Sequence, residues 1–139
     1  MKGVLSMNIM ALDPGRDKCG LAVLNGQGEI LWRQVIETRA LEEFAIARAR
    51  EHDPVCLIMG NGTTSKEAEG RLKKALPEMT LKVVDEYRTT EEAKKLYWQV
   101  NPPKGWRRFL PVTMQVPPEP VDDLVAVILA RREIDKGTV

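Results

Sequence analysis

Two cysteines and one histidine are all that 139 residues offer to a thiol framework or a soft-metal site. Cys19 and Cys56 lie in or beside apolar, strand-like runs without CxxC spacing, which argues against a zinc cluster or disulfide scaffold and for buried free thiols in a reducing compartment. His52 stands alone in a Glu-His-Asp-Pro turn, where it reads as a surface residue, so a Ser-His-Asp hydrolase would have to rest on it entirely. No apolar stretch approaches the roughly 18 residues of a membrane span, and Met1 to Met7 is too short for a signal peptide, with Met7 a candidate start. The expectation is a soluble, cytoplasmic protein with no membrane partner. An excess of one charge is also missing: 21 basic residues face 20 acidic ones, for a formal net charge of +1. Any surface for a polyanion must therefore come from local clustering. The GxxxxGK[ST] spacing of a phosphate-binding loop, internal repeats and low-complexity tails are all absent. The length suits one domain, residues 1–139, with a proper core.

What is present is a regular succession of apolar runs. Met7 to Asp13 and Cys19 to Leu24 read as strands, and the turn Asn25-Gly26-Gln27-Gly28 leads to a third, Glu29 to Thr38, in an antiparallel meander. A helix follows from Leu41 through Ala49, then a continuous apolar strand, Val55 to Met59, of the kind buried on both faces in a parallel sheet. Gly60-Asn61-Gly62 separates it from a helix, Ser65 to Leu76; a strand, Leu81 to Asp85, and a helix, Thr90 to about Val100, come next. An irregular stretch, Asn101 to Pro120, precedes a last helix from Val121 to about Ile134. The order βββαβαβ followed by helices predicts an α/β fold, a mixed sheet of five strands with helices on both faces.

Three acids stand at the ends of these elements. Asp13 closes the first strand and enters a Pro-Gly turn; Glu86 follows the fifth strand; Asp122, with Asp123 beside it, opens the last helix. Each has an ordinary reading. Asp-Pro-Gly forms β-turns, Asp85 and Glu86 precede a capping box of Thr89 with Glu92, and Asp122 and Asp123 suit a helix N-terminus. Together, carboxylates arriving from separate elements are what hard divalent cations and metal-assisted phosphodiester hydrolysis require.

These segments also carry a resemblance. Leu12-Asp13-Pro14-Gly15 with Cys19-Gly20-Leu21-Ala22-Val23 resembles the opening of RNase H-like nucleases of the YqgF type, a Holliday junction resolvase-like family related to the RuvC resolvases. Asp85-Glu86-Tyr87-Arg88-Thr89-Thr90-Glu91-Glu92-Ala93 resembles the family's Asp-Glu-Arg-x-Thr-Thr-x-x-Ala segment, and Val121-Asp122-Asp123-Leu124-Val125-Ala126 its terminal Asp-x-x-Ala-Ala helix. The match runs in order from about Met7 to Arg132. It implies an RNase H-like fold and nuclease activity with Mg2+ or Mn2+ on Asp13, Glu86 and Asp122, with Asp123 in reserve. It also implies a role in 5′-end maturation of pre-16S ribosomal RNA during ribosome biogenesis, on RNA or branched DNA, with a ribosomal precursor particle as partner and a homodimer left open. The chain departs from the pattern in three places. Tyr87 replaces the arginine after the glutamate, so that Arg88, one place later, would face the other way on a strand-like backbone; the loop after the fourth strand is shortened to Gly60-Asn61-Gly62-Thr63-Thr64-Ser65; and Asp122 and Asp123 are both acidic.

Nucleic-acid contacts are expected in two further places. Thr63 and Thr64 open a helix whose free N–H groups suit a phosphate, although Thr64 with Glu67 also fits a simple capping box. Lys104, Trp106, Arg107 and Arg108 interleave bases with aromatics, a pattern that serves single-strand binding as well as it serves a loop pinned down by Trp106 and Phe109. Arg16, Lys18 and Arg88 would extend the positive surface, while Lys94 and Lys95 read equally as a solvent face. Trp98 is expected in the core, Tyr97 at its rim, and Met59 and Met79 in packing. The rivals to a nuclease are a module of the same fold that binds without cutting and an actin-like nucleotide site, which needs a second lobe that 139 residues do not supply.

Overall fold

Continuous apolar runs become the centre of a sheet, and runs with one polar face become its edge. In the computed structural model, which describes residues 7–111 and 115–139, the strands are β1 (Asn8–Asp13), β2 (Lys18–Asn25), β3 (Ile30–Glu37), β4 (Cys56–Gly60) and β5 (Thr80–Val84). The helices are α1 (Leu41–His52), α2 (Ser65–Ala75), α3 (Thr89–Val100) and α4 (Asp122–Lys136), with short 3-10 turns at Thr38–Ala40 and Gly105–Phe109. What the sequence suggests for residues 1–6 lies outside the described residues.

The five-stranded sheet has the order β3-β2-β1-β4-β5. β1 is central, antiparallel to β2 and parallel to β4, and β5 continues the parallel half. Asp13 therefore ends the middle strand, directly opposite Gly20 in the register of β1 with β2. Successive side chains of a strand point to opposite faces, and both faces are covered. Ile9, Ala11, Ala22 and Leu24 pack with Ala93 of α3 and Leu124, Val127 and Leu129 of α4. Met10, Leu12, Leu21 and Val23 pack with Leu41 and Ala45 of α1 and Ala68 and Leu72 of α2. Each fully buried Leu, Ile or Met contributes about 1.5–3 kcal/mol, so β1, with four consecutive buried residues at the middle of the sheet, is a firmly held platform.

Element boundaries agree with expectation to within about three residues. Four particulars differ. Tyr97 is the core residue, 6% exposed, and Trp98 packs only partly against the same cluster; both lie on the inward half of α3, and their rings meet edge to face with centroids 5.0 Å apart. The His52 side chain is only 15% exposed rather than a surface group, because its backbone carbonyl accepts a hydrogen bond from the Asn8 side-chain amide and draws the end of α1 against β1. Cys19 is buried but Cys56 only half-buried, both as free thiols. The stretch after α3 contains the 3-10 turn Gly105–Phe109. Among the described residues no helix is long and apolar enough to cross a membrane.

Candidate active site

The turn after Asp13 is held from the side. Thr38, at the end of β3, donates its hydroxyl to the Gly15 carbonyl at 2.9 Å and its backbone N–H to the Asp17 carbonyl at 2.9 Å. A side chain on Gly15 would lie 2.1 Å from the Lys18 carbonyl oxygen, so the reversal requires glycine there. β2 then delivers Gly20 opposite Asp13, and Gly20 is the reason Asp122 arrives. A methyl group at position 20 would fall 1.8 Å from the Asp122 carbonyl oxygen and 2.4 Å from the Asp123 nitrogen. The first turn of α4 thus lies directly on the β2 backbone, one strand from Asp13.

The consequence is electrostatic. Burial, reinforced by the charges of Asp122 and Glu86 and a hydrogen bond with Asp122, pushes the Asp13 carboxyl up to about 7. The Asp122 carboxyl is also raised, by burial and then by the charge of Asp123, against the pull of the Asp13 hydrogen bond and of Lys18. Both carboxyls are thus held above their ordinary range by burial and by each other's neighbourhood of negative charge.

Glu86 reaches the same rim from β5. Its backbone N–H donates to Asn61 Oδ1 at 3.3 Å, and its carbonyl accepts from the Thr89 hydroxyl at 2.8 Å and the Thr89 N–H at 3.1 Å. Its carboxylate rests over the Gly60-Asn61-Gly62 turn, where a side-chain carbon on Gly60 would be 2.6 Å from Oε2 and one on Gly62 3.0 Å from Oε1. Asp13, Asp122 and Glu86 are brought to one rim, yet among the described residues no three His, Cys, Asp or Glu side chains close into a ready cage. The donor set is nonetheless all carboxylate oxygen, the chemistry that Mg2+ and Mn2+ take, and the repulsion that raises Asp13 and Asp122 is what a cation would relieve.

Among solved structures, the chain aligns with Thermus thermophilus RuvC at a TM-score of 0.63 and 15% identity, over 95% of this chain and 98% of that one. T. thermophilus RuvC in complex with Holliday junction substrate aligns at 0.62 and 15% identity, over 96% and 98%. The fold is RuvC-like, hence RNase H-like. No family model matches the chain, and no curated protein matches it in sequence.

On this RNase H-like sheet the other expected residues separate. Asp123 is turned away from the rim: buried at 6% exposure, it receives Arg33 Nη1 at 2.8 Å on Oδ2 and the Leu124 N–H at 2.9 Å on Oδ1. Each of its oxygens is engaged, one by the Arg33 ion pair and one by the Leu124 N–H. Neither expected capping box forms. Thr89 spends its hydroxyl on the Glu86 carbonyl while Glu92 pairs with Arg132 at 3.0 Å. Thr64 enters α2 at φ −96°, ψ 6°, outside the extended geometry a cap needs, and makes no side-chain cap bond. The turn expected to hold a substrate phosphate carries the Glu86 carboxylate instead, while Thr63 at its edge is exposed. Arg88 is not on strand-like backbone. At φ 57° it begins α3, its guanidinium carbon 5.4 Å from the exposed Tyr87 ring centroid. Arg16 and Lys18 line an open cleft of about 500 Å³ at the β1–β2 turn. In that cleft Arg39 is paired with Glu37, and Arg71 is held by Glu42 and the Thr38 carbonyl. Trp106 and Phe109 are 69% and 76% exposed, so they do not pin their segment to the body.

Gly20, Thr38, Gly60 and Thr89 are the positioning residues that sequence reasoning passed over. Gly20, Gly60 and Thr89 lay within segments already singled out, but none of those segments states the contact the residue makes.

Proposed function

We propose that the chain is a metal-dependent nuclease that hydrolyses phosphodiester bonds at the rim formed by Asp13, Asp122 and Glu86. The observation that carries this reading is the arrival of three carboxylates from β1, β5 and α4 at the end of the central strand, close enough that burial and its two acidic neighbours push the Asp13 carboxyl up to about 7. A structural carboxylate is rarely placed so unfavourably, and perturbed groups of this kind concentrate at functional sites. Asp13, Asp122 and Glu86 would hold Mg2+ or Mn2+. When bound, such an ion supplies Lewis-acid polarisation of the phosphate and acidification of water. The chain's own residues do the rest. Asp13 sets the position on the central strand, Lys18 offsets charge beside Asp122, and Arg88, at the start of α3, is available to a phosphate oxygen.

RNA is the favoured substrate, with 5′-end maturation of pre-16S ribosomal RNA on a precursor particle as the specific role, because the acidic segments follow the YqgF pattern. Branched DNA is the second, supported by the RuvC-like fold. A cytoplasmic protein, alone or as a homodimer, suits either. A module that binds without cutting is the competing account, and the observation in its favour is that no three acids are closed into a cage among the described residues.

The test is cleavage of end-labelled precursor ribosomal RNA, unrelated single-stranded RNA and a DNA four-way junction with Mn2+ or Mg2+, comparing wild type with Asp13→Asn. Metal-dependent cutting that falls by about 10³-fold in the variant, several kcal/mol of transition-state stabilisation, is expected. Equal binding by both proteins with no cutting by either would leave the binding module as the account.

A further inference from the structure

The most unusual surface lies between α3 and α4. From Ala93 to Pro118 the sequence contains five basic residues, Lys94, Lys95, Lys104, Arg107 and Arg108, and no acid, so a chain of net charge +1 concentrates +5 in 26 residues. Six of the nine prolines fall between Pro102 and Pro120, which stiffens the same stretch. The aromatic residues divide sharply. Trp32 and Phe44 stack on each other, with ring centroids 6.3 Å apart, and Trp98 packs against the core. Trp106 and Phe109 are left 69% and 76% exposed.

The 3-10 turn Gly105–Phe109 arranges this surface. The Arg107 guanidinium carbon lies 5.9 Å from the Trp106 ring centroid and that of Arg108 4.9 Å from the Phe109 centroid, so each exposed ring carries a cation beside it. Gln115 Nε2 donates to the carbonyls of Arg107 and Leu110 at 2.9 and 3.2 Å, tying Gln115 to the turn. The segment is also long: residues 101–121, between α3 and α4, number 21, against the roughly 2–8 residues usual between helices.

We infer that the Gly105–Phe109 turn is a stacking platform for the bases of an unpaired nucleic-acid strand, with Trp106 and Phe109 receiving bases and Lys104, Arg107 and Arg108 meeting its phosphates. Charge complementarity and flat exposed rings select this occupant. Paired bases keep their faces inside the helix, so a blunt duplex offers the phosphates but not the stacking. The platform deepens the nuclease reading, on which it rests only for its purpose, by naming the substrate as a strand with an unpaired segment.

Binding tests it directly. The full chain, with EDTA to prevent cutting, is titrated against labelled 20-nucleotide single strands of RNA and DNA and against blunt duplexes of the same sequence. Wild type is expected to bind one or both single strands at least tenfold more tightly than the duplexes. Trp106→Ala and Phe109→Ala should each weaken single-strand binding about tenfold and duplex binding less than twofold, with Trp106→Phe restoring most of the loss. Arg107→Ala should lower the slope of log K against log salt by about one. Preference for either sugar supports the platform and names the strand. Equal affinity for single strands and duplexes, or unchanged single-strand binding by Trp106→Ala, overturns it. So does failure to bind any oligonucleotide, which would leave the exposed rings to a protein partner. The two readings fail separately. Single-strand binding lost in Trp106→Ala while wild type never cuts with Mn2+ removes the nuclease and keeps the platform, whereas Asp13-dependent cutting with unaltered binding by Trp106→Ala does the reverse.

Discussion

Around Asp13 the backbones of β2 and α4 approach so closely that a single methyl group at Gly20 would overlap the Asp122 carbonyl; along residues 101–120, two of the largest side chains in the protein stand mostly in water. One region accepts unfavourable charge because the sheet holds it there. The other leaves its rings exposed on a short 3-10 turn that the core does not cover. The first region is held by packing, and the second has little packing to lose. Substitutions should therefore affect stability strongly at the rim and hardly at all in the segment.

The largest effect on stability is expected from Gly20→Ala. The added carbon has backbone atoms of α4 on top of it, not the far end of a flexible side chain, so α4 or β2 must shift. A loss of about 3 kcal/mol or more is expected in urea denaturation. Activity should fall beyond what the unfolded fraction explains, because Asp122 moves with its helix.

Arg33→Ala comes next. It removes the partner of a carboxylate that is 8% exposed in its side chain, at 2.8 Å, and leaves Asp123 charged and buried. About 2–3 kcal/mol should be lost. The double variant Arg33→Ala with Asp123→Asn should recover part of it, which distinguishes an uncompensated charge from lost packing.

These two sites show what the sequence could and could not convey. Strands and helices were legible because continuous apolar runs, alternation and Gly or Pro punctuation act over a few residues. The acids at element ends were legible for the same reason. The pairing of Arg33 with Asp123 spans 90 positions, and nothing local distinguishes Asp123 from Asp122; only the pitch of α4 across the sheet points one to the rim and the other to β3. The capping boxes misled because a local spacing was taken as a local bond. Thr89 has a competing acceptor in the Glu86 carbonyl at 2.8 Å and takes it. Tyr97 and Trp98 exchanged places because two neighbouring residues on the same half of a helix differ by only about 100° in direction.

The far end of α4 offers a pH-dependent version of the same contrast. Glu133 is 3% exposed and bonded to Lys82 at 2.7 Å, Lys136 at 3.3 Å and the Thr138 hydroxyl at 2.9 Å. Burial raises its carboxyl, but the hydrogen bonds from Lys82, Thr138 and Lys136 outweigh it and hold the group below its ordinary 4.5. A carboxylate depressed in the folded state contributes its stability above the unfolded value and loses it as pH falls through the folded one. Glu133→Gln should therefore cost about 1–2 kcal/mol at pH 7, and the gap from wild type should close as pH falls below about 4.5. A gap that persists unchanged at pH 3 would mean that packing, not ionisation, anchors this end of α4 to β5.

The smallest effect should come from Trp106→Ala. Removing a buried tryptophan costs about 3–5 kcal/mol, but this ring is 69% exposed and its recorded neighbour is the Arg107 guanidinium, 5.9 Å away. The expected change in unfolding free energy is within about 0.5 kcal/mol, as small as that of an ordinary surface substitution. A loss of 2 kcal/mol or more would mean that the ring is seated on the body of the protein in solution, and the contrast between the two regions would disappear. An unchanged unfolding curve alongside weakened strand binding would show instead that the ring is held in water for a ligand. Its exposure would then be a feature of the binding surface and not a defect in packing.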